Sequence, residues 1–284
     1  MIVTISNSIL SAQIKLKGAE LISLKSMQSN EEFIWEGNPS FWGKHSPVLF
    51  PIVGTLKNNS YSYNDKIYKL LRHGFARDVN FQLINSNASS ATFSLQSSEE
   101  SKKVYPFEFE LQIKYTLLNN TLSIGYKVIN LDEKDIPFSI GAHPAFALPA
   151  EFENYSLEFN KQETLKCFTL ENDLVSDTTF EIELIHKKLP LTYSTFANDA
   201  LIFKTLQSKE ITLLEKNKPR LKVVFDRFEN LGIWTKVGAP FICIEPWLGY
   251  SDTIHSSGKI MEKEGIQVVA KNNSFECEFS LEIL

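Results

Sequence analysis

Cysteine is scarce in this chain: three residues, Cys167, Cys243 and Cys277, among 284. They are odd in number, widely spaced and set in strand-like surroundings. That excludes a disulfide scaffold and suits small buried hydrophobes in a reducing compartment. No two cysteines have zinc-ligand spacing, and His45, His73, His143, His186 and His255 form no H-E-x-x-H, so no metal site is expected. An excess of positive charge is also missing. With 29 Lys and Arg against 34 Asp and Glu, the formal charge is -5, which leaves no electrostatic footprint for nucleic acid or an anionic membrane. A small, neutral or weakly charged ligand fits better. No apolar run reaches membrane-spanning length, and the start M-I-V-T-I-S-N-S has neither a basic nor an apolar leader segment. The expectation is a soluble, cytoplasmic protein with no membrane partner, a monomer or weak homodimer. G-x-S-x-G, G-x-G-x-x-G and a Walker loop are absent, and the lone S-x-x-K match, Ser256 to Lys259, lies in a turn-like stretch. No cofactor is expected. Linkers, repeats and low-complexity segments are lacking too, so residues 1–284 read as a single domain.

What the chain does have is apolar and aromatic bulk: 43% hydrophobic residues, 12% aromatic, 21 of them Phe. The dominant period is two. Phe107, Phe109, Leu111, Ile113 and Tyr115 alternate with Glu108, Glu110, Gln112 and Lys114, and the pattern returns at Leu122, Ile124, Tyr126 and Val128 after the Asn119–Asn120 turn. Phe275, Cys277, Phe279, Leu281 and Ile283 repeat it at the C-terminus. Further strands are expected at 2–5, 13–17, 21–25, 91–95, 201–205, 211–215, 221–225, 232–236 and 241–245. One short helical turn around Glu99 to Lys103 is stopped by Pro106. So many strands separated by Asn, Gly, Ser and Asp turns predict an all-β fold, a large sandwich of antiparallel sheets whose concave face takes the ligand.

Three distant segments carry ionisable side chains in stiff or small frames: R-H-G-F-A-R from Arg72 to Arg77, G-A-H-P-A-F from Gly141 to Phe146, and I-E-P-W-L-G from Ile244 to Gly249. His143 has little bulk before it and a fixed backbone after it, so its ring can stand where another group approaches closely. Strand geometry puts Cys243 and Glu245 on one face, and if that face is concave the carboxyl enters an apolar pocket beside Trp247. Burial there raises its pKa, as suits a base that reprotonates at every turnover. A carboxylate opposed to an imidazole moves protons at a sugar's anomeric centre without metal or cofactor. The plainer alternatives are a polar turn at His73, a satisfied core histidine at His143 and a structural carboxylate at Glu245.

Taken in order with F-W-G-K-H-S-P-V-L-F-P-I-V-G (Phe41 to Gly54), Y-P-F (Tyr105 to Phe107) and L-G-I-W-T-K (Leu231 to Lys236), these segments resemble the aldose 1-epimerase (galactose mutarotase) family, most closely its LacX-like branch. The resemblance runs nearly end to end. It implies a galactose-mutarotase-like β-supersandwich, interconversion of the α and β anomers of an aldose, and a small-molecule sugar as the only partner. Carried over residue by residue, it makes Glu245 the base, His143 the acid, His73 a partner that holds or polarises the same region, and Asp199 a hydroxyl-binding aspartate. Thr55 stands where the family commonly carries a sugar-binding arginine, and Arg72 is the candidate replacement. A phosphorylated sugar would need a cationic clamp, for which Arg72, Arg77, Lys204 and Lys209 are available. Two rivals stay open. One is a non-catalytic carbohydrate-binding or regulatory protein; the other is an inverting hydrolase pairing Glu245 with Asp199 or Asp252.

Overall fold

In a computed structural model describing residues 1–284, the alternating segments become long ladders. Phe109–Leu118 pairs antiparallel with Thr121–Asn130, which pairs in turn with Ser274–Ile283. These three strands form the middle of a nine-stranded sheet that runs from Lys188–Pro190 at one edge to Gln82–Ser86 at the other. The inward residues of the hairpin are buried at every second position, as one packed face requires. A second sheet, of eight strands, contains Asn230–Trp234, Phe241–Leu248, Ile140–Ala142 and Val48–Leu49 in that order, with Ala145–Ala147 also paired to Phe241–Leu248. Smaller sheets complete the architecture, the largest of them the N-terminal meander Ile2–Ser6, Leu10–Lys15 and Glu20–Ser26. Every strand pairing is antiparallel, as expected of a galactose-mutarotase-like sandwich.

The core lies between the two large sheets. Leu111, Ile113 and Phe279 from one and Leu231, Ile233, Ile242 and Ile244 from the other belong to a single cluster of 59 buried residues. The opposite face of the eight-stranded sheet packs separately: Phe241 and Cys243 with Trp35, and Trp247 with Leu49 and Val53. Even positions of Phe241–Leu248 therefore face the core and odd positions the concave side. The one α-helix, Glu99–Val104, carries a capping box in which the Ser98 and Ser101 side chains satisfy each other's backbone amides. No helix is long and apolar enough to cross a membrane.

The expected strands are all present, with end shifts of a few residues. The expected 241–245 segment runs on to Leu248 and takes Pro246 inside it. Several strands escaped the period-two reading. Ile140–Ala142 and Ala145–Ala147 have three residues each, too few to show a period. The hairpin Thr164–Glu171 with Leu174–Glu183 has a mixed pattern because much of both its faces is exposed.

Candidate active site

Strand register brings the acid and base together. Phe241–Leu248 meets Ile140–Ala142 through Gly141 opposite Trp247, and Ala145–Ala147 through Ala145 opposite Cys243. The register is unbroken across the gap, so His143, between the two short strands, falls level with Glu245. On the other side Glu245 is paired with Gly232. A Cβ at Gly232 would collide with the Trp247 ring, and one at Gly141 would come within 2.6 Å of Trp247 Cδ1. The two glycines thus make the slot that holds the indole next to the carboxyl.

The resulting cleft has a volume of about 620 Å³ and is lined by His73, His143, Glu245, Asp199, Arg72, Arg77 and Trp247, together with Trp42, Trp234 and Lys236. His143 Nδ1 lies 3.3 Å from Glu245 Oε2. No hydrogen bond forms between them, and neither atom has another partner. Burial drives the pair in opposite directions: it pushes Glu245 well above the usual carboxyl range, with the Arg72 cation and the Trp247 indole opposing less strongly. It pushes His143 down to about 3, helped by the cations of Arg77 and Arg72. In the free cleft burial therefore favours the uncharged form of both groups. Trp42 stacks on the His143 ring, centroids 4.7 Å apart and planes 25° apart, and Trp234 meets it edge-on at 5.8 Å. These rings restrict the imidazole to its plane.

His73 sits at φ 68°, next to Gly74 at the same φ. Gly54 grips it at both ends: the His73 amide donates to Gly54 O at 2.8 Å, and the Gly54 amide donates to His73 Nδ1 at 3.1 Å. Burial, then His143 and the two arginines, lowers its pKa well below the usual imidazole value. A neutral ring accepting at Nδ1 carries its proton on Nε2. Arg72 Nε lies 3.3 Å from that same Nε2, where two N–H groups cannot both be satisfied. The backbone amide is fixed and the arginine can turn, so the Arg72 contact is the one that yields. Its guanidinium also reaches Asp173 at 3.2 Å, an exposed pair. Arg77 donates to Arg72 O at 2.9 Å and leaves its buried Nε without a hydrogen-bond partner. Asp199 takes φ 86°, and its carboxylate accepts from the Ala200 amide at 2.8 Å.

Lys204 does not belong to the cleft. It lies on the same side of its strand as Ile202, one step beyond Leu201–Phe203, and is drawn away to Glu264 at 2.7 Å with its ammonium over the Phe168 and Tyr250 rings. Lys209 instead donates to Phe228 O. Asp252, one candidate second carboxylate for hydrolysis, is buried in an ion pair with Lys263 at 3.0 Å and accepts the Lys57 amide. It has no free oxygen to offer a water in the cleft. Thr55 is buried with an unpartnered hydroxyl, and its amide donates to Ser251 Oγ at 3.0 Å. The cations that do face the cleft from the neighbouring segment are Arg72 and Arg77.

The sequence reading assigned no role to Trp42, Trp234 and Lys236. A signal existed for Trp234: it pairs with Cys243, so alternation places it on the same face as Glu245. Trp42 reaches the site from a loop, where no periodicity applies.

The sequence model of the family described as Aldose 1-epimerase matches residues 1–266. Protein LacX, chromosomal, from Lactococcus lactis subsp. lactis is 34% identical over 300 aligned positions, covering 100% of both chains. A galactose mutarotase related enzyme from Lactobacillus acidophilus superposes with a TM-score of 0.95 at 34% identity, over 100% of this chain and 97% of that one. A galactose mutarotase-like protein from Lactobacillus casei ATCC 334 gives 0.95 at 30% identity, with 100% of each covered.

Proposed function

The chain belongs to the aldose 1-epimerase family, and on that premise we propose that it interconverts the α and β anomers of an aldohexose or related sugar by acid–base ring opening. The observation that carries this reading is the 3.3 Å approach of His143 Nδ1 to Glu245 Oε2 on the wall of a cleft large enough for a hexose. Glu245 takes the proton of the anomeric hydroxyl while His143 protonates the ring oxygen. The C1–O5 bond then breaks, giving the open-chain aldehyde. Rotation about C1–C2 presents the other carbonyl face, and closure returns both protons along the same routes.

Proton counting connects this cycle to the free site. The pair needs one mobile proton in total. With the pyranose bound it rests on the imidazole, and with the open chain it rests on the carboxyl. Burial in the free cleft favours a protonated Glu245 and a neutral His143, and so favours the protonation state of the open-chain stage. Sugar hydroxyls that hydrogen-bond to Glu245 stabilise its carboxylate and return the proton to His143. His73, fixed by Gly54 with its Nε2 proton free of the backbone and its ring 5.9 Å from that of His143, orients the sugar beside the acid. Asp199 accepts from its hydroxyls, and Trp42, Trp234 and Trp247 give its apolar faces a surface.

A second reading is favoured by charge. Arg72, Arg77 and Lys236 line the cleft, and the acidic neighbours of the two arginines, Asp173 and Asp78, are exposed, so their guanidiniums can turn to a phosphorylated sugar. Polarimetry of freshly dissolved α-glucose, α-galactose and their 6-phosphates separates the two. Accelerated relaxation of the free sugars supports the first reading, and acceleration confined to the phosphates supports the second. Relaxation at the spontaneous rate for all four contradicts both.

A further inference from the structure

Behind the proton-transfer pair lies a third potential ligand that the chemistry above does not use. Cys243 is two residues before Glu245 on the same strand, so both project from one face. His143 reaches that face through the register described above. The Cys243 sulfur, the His143 nitrogen and a Glu245 oxygen all lie within 4.8 Å of one another. Cys243 is 0%, His143 8% and Glu245 1% exposed. Two of these groups point unpartnered atoms, His143 Nδ1 and Glu245 Oε2, at the gap between them. Buried polar atoms in native proteins are nearly always paired, and such an orphan pair calls for an explanation.

We propose that His143, Cys243 and Glu245 form a binding site for one thiophilic divalent cation of zinc type, and that an ion bound there switches the proton-transfer site off. The binding half stands on the geometry alone; the inhibitory half rests on the reading of Glu245 and His143 as the acid–base pair. One sulfur, one imidazole nitrogen and one carboxylate oxygen make a borderline-soft donor set, which suits zinc and disfavours magnesium or calcium. Bonds of about 2.0–2.3 Å in a tetrahedral site put neighbouring ligand atoms roughly 3.2–3.8 Å apart. The 3.3 Å between His143 and Glu245 already matches. Three protein ligands leave a fourth position, which opens onto the cleft that His143 and Glu245 line and is filled by water. On binding, the S–H proton of Cys243 and the O–H proton of Glu245 pass to solvent as the metal–sulfur and metal–oxygen bonds form. His143 contributes its Nδ1 lone pair, and no electron is transferred. Both groups that exchange the mobile proton are then tied to the ion.

The test uses the full-length, reduced, metal-free protein. Titration with cobalt(II), followed by visible and near-ultraviolet absorption, should show one ion per chain with a tetrahedral spectrum and a thiolate charge-transfer band, displaced by one equivalent of zinc. Cys243→Ser should abolish the thiolate band and weaken binding at least about tenfold. Glu245→Gln, nearly isosteric, should weaken it by a similar factor and keeps the test open if the cysteine variant does not fold. Zinc should stop anomer exchange and a chelator should restore it. A weak octahedral spectrum, a missing thiolate band, or binding unaffected by both substitutions overturns the site. Exchange that continues at full rate with zinc bound overturns the inhibitory half. A protein that binds cobalt as described but exchanges no sugar refutes the epimerase reading and leaves the ion site standing.

Discussion

The same burial shifts Glu245 up and His143 down, each toward its uncharged form, and this makes their behaviour with pH distinctive. The unit that works is a pair with one mobile proton, so activity is lost on the acid side only when the pair takes a second. That proton goes to an imidazole pushed down to about 3. The acid limb of kcat/KM should therefore lie well below the ordinary imidazole value of about 6.5, and activity should persist at pH 5. The alkaline limb belongs to loss of the carboxyl proton, whose pKa burial raises. An acid limb near 6.5 would mean that a solvent-exposed histidine does the work. Glu245→Gln and His143→Asn should each lower turnover by about 10²-fold or more without loss of fold, as judged by circular dichroism alongside the rate. Arg72 has a different signature. Its contact with His73 Nε2 is frustrated and its partner Asp173 is exposed, so it is free to turn to a ligand. Arg72→Ala should weaken substrate binding by about 1.5–3 kcal/mol, seen as a rise in KM, and the loss should be larger for a sugar phosphate at low salt. An unchanged KM for both would place Arg72 in solvent.

At the scale of elements, the site depends on where short strands fall in register. Gly232, opposite Glu245, admits the Trp247 ring beneath it. Gly232→Ala forces that ring to move and should cost about 1–3 kcal/mol of stability as overpacking, with a loss of kcat/KM whose free-energy equivalent exceeds that loss of stability. Thermal melts beside kinetics check this; a variant with native stability and native rate would show that the slot has slack. The long strands were legible because their alternation is uninterrupted, as in Phe109–Leu118 and Ser274–Ile283. So was the face of Cys243 and Glu245. What alternation could not supply was the partner. Ile140–Ala142 and Ala145–Ala147, which bring His143 level with Glu245, are too short to carry a period. The three motifs were found as isolated frames, and only the ladders join them. The position of Lys204 outside the cleft lining was hidden for the same reason: its partner Glu264 lies sixty residues further along the chain, and no local pattern reports it. The loop that presents Trp42 has no period at all.

Across the whole molecule, the site costs stability. The unfolded chain protonates His73 and His143 near their ordinary values, whereas the folded chain holds both lowered. As pH falls below about 6.5 the unfolded state binds protons that the folded state refuses, so stability declines toward acid. Glu245 acts in the opposite sense. Its folded pKa is raised, so its contribution is fully present below about 4.3, its ordinary value, and is lost as pH rises toward the folded value. Glu245→Gln removes that loss. The variant should melt higher than the wild type at pH 8 and at about the same temperature as the wild type at pH 4; a variant that melts lower at pH 8 would mean the carboxyl makes a structural contact. The central claim is that one carboxyl and one imidazole, brought together by strand register, open and close the sugar ring. The most direct test is magnetisation exchange between the α and β anomeric proton signals of glucose, galactose and their 6-phosphates, measured with the wild type, Glu245→Gln and His143→Asn after exhaustive chelation. The account predicts enzyme-dependent exchange for at least one sugar in the wild type and its reduction by about 10²-fold or more in both variants. Near-native exchange in Glu245→Gln, or exchange that only an added divalent ion restores to the wild type, would contradict it.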